Sequence, residues 1–98
     1  MNETYILRDK KPIICEDIIK WGKWFNDAER HVKLDELPNN VKISTIFLGL
    51  DHGFRTGKIL LFETMIFGGE HDEYCERYET WEQAEIGHQK ALNLCLVK

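Results

Sequence analysis

Two ten-residue runs, Val41–Leu50 and Lys58–Phe67, constrain this chain more than any other feature. Both are rich in β-branched and aromatic residues, and both carry apolar side chains at odd and even positions. A strand that is apolar on both faces belongs in the middle of a sheet, where neither face meets water. In the first run Val41, Ile43, Thr45, Phe47 and Gly49 face one way, and Ile46, Leu48 and Leu50 the other. Asp51–Gly57, with two glycines, reads as the loop between the runs, and Gly68-Gly69 ends the second.

The remaining segments fit around that centre. Tyr5-Ile6-Leu7 is a short strand, ended by the polar run Arg8–Lys11 and by Pro12. Ile14, Ile18, Trp21, Gly22, Phe25 and Ala28 then share one face at 100° per residue, which predicts an amphipathic helix over about 15–29. Gly22 lies on the inward side, so close packing against a sheet is expected there. Trp24 points away from the stripe; it either flanks the core or is exposed, where it would suit a protein interface. His31–Leu37 alternates weakly and reads as an edge strand, followed by a turn at Leu37-Pro38-Asn39-Asn40. Glu70–Glu79 is polar and reads as irregular. Thr80-Trp81-Glu82-Gln83 is a capping box that opens a helix over 81–96, with Trp81, Ala84, His88, Ala91, Leu92 and Cys95 on one face. With 98 residues there is room for one domain, residues 1–98. The expected architecture is a small α+β domain in the order β-α-β-β-β-α, with two helices packed on a mostly antiparallel sheet of about four strands.

Charge narrows the partners. The net charge is −4, but it is unevenly placed. Residues 1–62 are close to neutral, whereas Glu70–Glu85 holds seven acids against Arg77 alone. A nucleic-acid binder needs a basic patch, and the sequence has none. The acidic segment would attract a basic protein surface; equally, it reads as a solvated loop and helix face. No apolar run reaches the roughly 20 residues of a membrane span, because Glu63 interrupts the longest. Met1–Lys11 lacks the apolar stretch of a secretory signal, so a soluble cytoplasmic protein is expected. Cys15, Cys75 and Cys95 are odd in number and form no CxxC pair, which fits reduced thiols rather than a disulfide or zinc framework.

Several positions carry possible chemistry. Asp51 and His52 follow a buried strand; together they would orient a base, or Asp51 simply caps the turn. Glu63 interrupts an apolar strand, and a buried carboxylate must be paired or neutral. Arg77, His52 and Ser44 are its candidate partners, with a solvent-facing Glu63 as the alternative. His88, inside a helical apolar stripe, reads as a satisfied core histidine. The four histidines show no HxH or HExxH spacing, and Gly68-Gly69 lacks the lysine and helix of a phosphate loop. No cofactor or metal is expected, and no nucleophile motif points to an enzyme.

Three blocks share a pattern with known sequences: Ser44–His52 (STIFLGLDH), Leu60–Gly69 (LLFETMIFGG) and Arg77–His88 (RYETWEQAEIGH). Tyr5, Pro12, Cys15, Trp21 and Trp24-Phe25 extend it. Together they resemble a widespread family of small bacteriophage and prophage proteins. The resemblance covers nearly the whole chain. It implies an accessory protein made in the bacterial cytoplasm, and it names no activity. The expectation that follows is non-catalytic binding of a host or phage protein, inhibition of an antiviral-defence protein being one form. The acidic segment, with Glu73, Glu76 and Glu79, and an exposed Trp24 are its candidate surfaces. The alternative is a small-molecule or nucleotide-signal binder with a pocket near Asp51, His52, Glu63 and Arg77, where Arg77 would hold a phosphate. A homodimer through the edge strand His31–Leu37 is also expected, unless the charges of Lys33, Asp35 and Glu36 protect that edge.

Overall fold

Val41–Phe47 and Phe62–Phe67 pair with each other at the centre of a sheet, so each β-rich run is a strand only in part: 48–50 and 58–61 lie outside the strands. The computed structural model describes residues 3–96. Two helices and six strands stand among them: β1 Tyr5–Arg8, β2 Lys11–Ile14, α1 Ile18–Asp27, β3 His31–Leu37, β4 Val41–Phe47, β5 Phe62–Phe67, β6 Cys75–Tyr78 and α2 Trp81–Leu96. They form a small α+β fold. The main sheet is an antiparallel meander in the order β3-β4-β5-β6, so β4 and β5 are central and β3 is an edge. β1 and β2 form a separate hairpin.

Two short strands were not expected. The segment 8–12 is not a strand end but a hairpin turn. Asp9 and Lys10 both take positive φ, 51° and 69°, as a two-residue hairpin turn of matching twist requires. Leu7 pairs with Pro12, one step from the Arg8↔Lys11 closing pair, where alternation leaves no ladder N–H for proline to withhold. Likewise 70–79 is irregular only in its first part. Cys75–Tyr78 adds to β5 in the register Phe62↔Tyr78, Glu63↔Arg77, Thr64↔Glu76.

α2 lies across all four strands of the main sheet. Small residues on its sheet side, Ala84, Gly87 and Ala91, are buried and bring the helix close. Its start is the expected capping box: Gln83 N–H donates to Thr80 Oγ1 at 3.1 Å, and Gln83 Oε1 accepts from Glu79 N–H at 2.9 Å. α1 is shorter than 15–29. Asp17 caps it, accepting from Ile19 and Lys20 N–H. None of its residues is fully buried, and Ile18, placed on the inward stripe by periodicity, is 60% exposed. Its docking is aromatic. Trp21 Nε1 donates to Tyr5 O at 2.9 Å, and Trp24 packs edge-on against Phe47. Trp24 is therefore half-buried rather than an exposed interface residue.

Two apolar clusters lie under α2. One gathers Tyr5, Phe47, Leu61, Phe62 and Ala84. The other gathers Ile43, Ile66 and Ala91. Thr45 stands between Ile43 and Phe47 on β4, Thr64 between Phe62 and Ile66 on β5, and His88 between Ala84 and Ala91 on α2. All three are fully buried, so a polar seam divides the core.

Candidate functional site

The positions singled out from sequence fall into three places. Asp51 is a loop cap: its Oδ1 accepts from Gly53 N–H at 2.7 Å and from Leu60 N–H at 2.9 Å. Those bonds close the 51–60 loop, and the exposed His52 adds a backbone bond to Leu60 O. Glu63 and Arg77 stand together on the sheet face opposite α2. They are directly paired across β5 and β6, and Arg77 Nε donates to Glu63 Oε2 at 2.9 Å. The Cys75 thiol approaches the same oxygen at 3.5 Å. Glu63 is 9% exposed, so its buried carboxylate is paired, as burial demands. Burial pushes the Cys75 thiol above its ordinary value, and the Glu63 charge pushes the same way. That thiol stays protonated at neutral pH and is a poor nucleophile.

These residues do not converge. Among the described residues, no side-chain hydrogen bond or ion pair joins Asp51 or His52 to Glu63 or Arg77. Neither the cavity lined by Val41, Gly68, His71 and Cys95 nor that lined by Tyr74, Tyr78, Ile86 and Lys90 includes any of the four. No group of three His, Cys, Asp or Glu side chains among the described residues is placed to hold a metal.

Sequence reasoning found His88 but missed its partners. Its Nε2 lies 2.7 Å from Asp35 Oδ2, and its Nδ1 lies 2.7 Å from Thr45 Oγ1. Thr45 in turn bonds Thr64. A carboxylate only accepts, so Nε2 carries a hydrogen, and in the neutral ring Nδ1 accepts from Thr45. Hydroxyl, imidazole and carboxylate in this order match a nucleophile, its base and the base's orienter. Access decides against that role. Thr45, Thr64 and His88 are fully buried, and the Thr45 hydroxyl is shared with Thr64, so no substrate atom reaches it. The cluster fastens α2 to β3, β4 and β5. The polar interruption of two apolar strands and one helical stripe was its only sequence signal.

A groove of about 320 Å³ lies between β6 and α2. Tyr74, Glu76 and Tyr78 line one side, and Gln83, Ile86 and Gly87 the other, together with Lys90. Strand alternation puts Tyr74, Glu76 and Tyr78 on one face, and helical spacing does the same for Gln83, Ile86 and Lys90. The Tyr78 ring passes over Gly87, where a Cβ would come within 2.1 Å of the Tyr78 hydroxyl; only glycine fits. Burial raises the Tyr74 and Tyr78 phenols, with the Glu76 charge adding to it, so both remain hydrogen-bond donors at neutral pH. Ile86 is 59% exposed beside them. Glu73, Glu76 and Glu79 are exposed, and none joins an ion pair among the described residues. The Tyr78 hydroxyl is buried with no hydrogen-bond partner among the described residues, so this surface offers apolar area, the Tyr74 phenol and the charge of Glu76 beside that of Lys90.

No family model, curated protein or solved structure matches the chain. No helix among the described residues is long and apolar enough to cross a membrane.

Proposed function

We propose that this chain is a phage or prophage accessory protein that acts in the bacterial cytoplasm by non-catalytic binding. Its partner is a host or phage protein with a basic surface, and inhibition of that partner, an antiviral-defence protein among the candidates, is its role. The phage setting rests on the three sequence blocks. The binding reading rests on one observation: the β6–α2 groove, where exposed Ile86 and the Tyr74 phenol lie beside the unpaired acid Glu76, with exposed Glu73 and Glu79 next to it along the chain. Apolar anchors ringed by charge are how protein interfaces combine affinity with specificity.

The test compares capture from a bacterial lysate by the wild-type chain, by the Glu73→Lys/Glu76→Lys/Glu79→Lys variant and by Ile86→Asp. One stoichiometric partner is expected on the wild type, released by salt and absent from both variants. Equal capture by all three chains overturns the reading. Native mass spectrometry runs alongside; a small-mass adduct without a protein partner moves the assignment to a small-molecule binder.

A further inference from the structure

The outer edge of β3 is free. It ends the strand order, and among the described residues no backbone group of residues 32–37 has a partner outside the β3–β4 ladder. The hairpin shows which residues present that edge. Leu37 pairs with Val41 across the three-residue loop 38–40, which closes with Asn40 at φ 61°. The closing pair bonds inward. By alternation Asp35 and Lys33 also direct their backbone groups to β4, while Leu34 and Glu36 direct theirs outward. Leu34 is 43% exposed, on the sheet face that no helix covers.

We propose that β3 pairs antiparallel with β3 of a second copy about a twofold axis at Leu34, joining two four-stranded sheets into one of eight strands. The argument is the pattern of charge along the edge. A twofold axis perpendicular to the sheet keeps like faces together, so each register is centred on one residue. Centring on Lys33, Asp35 or Glu36 sets identical charges directly opposite, which destabilises a strand pair. Centring on Leu34 sets leucine against leucine at the outward-bonding position. It also sets Lys33 against Asp35 of the partner subunit, twice. Within one chain Lys33 and Asp35 meet only at 3.9 Å, with the lysine side chain half exposed, so Lys33 is available to that partner. His88 holds Asp35 from below and fixes its position for the contact. Both α2 helices then lie on one side of the joined sheet. The charges on this edge are self-complementary with Leu34 at the centre and repulsive with Lys33, Asp35 or Glu36 there.

The test is sedimentation of the purified full chain over a range of concentrations, with three variants. The wild type is expected to reach twice its 11.6 kDa mass. Lys33→Glu, which sets acid against Asp35 of the partner subunit, is expected to lose the dimer while circular dichroism shows the fold retained. Leu34→Cys is expected to form an interchain disulfide on mild oxidation, since paired positions in adjacent strands have suitable Cα spacing. Glu36→Cys, which faces Val32 of the partner subunit, is expected not to cross-link beyond the background of the native cysteines. A chain that stays monomeric, a dimer that survives Lys33→Glu, or trapping at Glu36→Cys as readily as at Leu34→Cys overturns the proposal. Should Lys33→Glu fail to fold, the two cysteine variants decide. Groove binding is read on the β6 side, so either proposal can fail without the other.

Discussion

At the scale of single residues, the close approach expected at one glycine is found at another. Gly22 sits on the inward stripe of α1, where close packing was expected, yet a Cβ there would meet nothing within 4 Å. The close approach is at Gly49, with φ 77°, where Phe25 and Trp21 lie 2.9–3.3 Å from a would-be Cβ. Periodicity finds the face of a helix but not the point where its rings touch down. Arg30 completes that contact, with its guanidinium 3.9 Å over the Phe25 ring and a bond to Phe47 O. Gly22→Ala is therefore expected to stabilise the protein by about 0.5–1 kcal/mol, through helix propensity and a less flexible unfolded chain. Gly49→Ala is expected to destabilise it by more than about 1 kcal/mol, from the left-handed backbone and the clash with Phe25. Urea unfolding of both variants checks the opposite signs; a neutral Gly49→Ala would show that α1 does not depend on this contact. Glu63 shows a different limit. Arg77 was one of three possible partners, and only the register of an unrecognised strand singles it out.

Elements differed in legibility for physical reasons. α2 was readable to its ends because a capping box and an apolar stripe are local signals. The expectation that neither face of the central strands meets water fails: on β4 only the face under α2 is fully buried, and Ser44, Ile46 and Met65 on the other face are half-buried. β4 and β5 were readable because both runs are rich in β-branched and aromatic residues. β6, Cys-Glu-Arg-Tyr, was not: an edge strand needs only backbone partners, and its side chains alternate between solvent and groove. β2 was hidden by Pro12 and by a left-handed turn built without glycine. The seam under α2 is likewise a relation between elements, with partners 43 and 53 residues apart in the chain. Its energetics carry a prediction. His88→Leu takes one bond from the partly exposed Asp35 carboxylate and one from the buried Thr45 hydroxyl, which keeps Thr64, at about 1–3 kcal/mol in total. Replacing the seam as a whole, with Thr45→Val, Thr64→Val and His88→Leu together, is expected to cost less than His88→Leu alone, because fewer polar atoms are stranded. Denaturant midpoints of the single and triple variants decide it. A triple variant that is the sum of its parts would show that the groups do not act as one network.

For the whole molecule, the three phenols and the thiols of Cys75 and Cys95 share one sign. Burial is the leading cause that raises Tyr5, Tyr74, Tyr78, Cys75 and Cys95 above their ordinary values. Each holds its proton more tightly folded than unfolded. Its contribution is thus complete below the unfolded values, 9.0 for the thiols and 10.0 for the phenols, and is lost as pH rises through them. The melting temperature is expected to fall from about pH 9 upward. Tyr78→Phe is expected to flatten that decline, and an unchanged slope would remove Tyr78 from its causes. The candidate site was half legible at this scale. Its acids stood out in the charge distribution, but the groove did not exist until β6 and α2 were neighbours, so Tyr74, Tyr78, Ile86 and Lys90 carried no joint signal. The divided core has a consequence for descent. The clusters on either side of the seam are apolar and accept other apolar side chains of similar volume. Thr45, Thr64, His88 and Asp35 can change only in concert. Relatives of this protein should therefore drift freely in the two clusters and hold the seam fixed, so that the most invariant histidine of the lineage is one that no ligand ever touches.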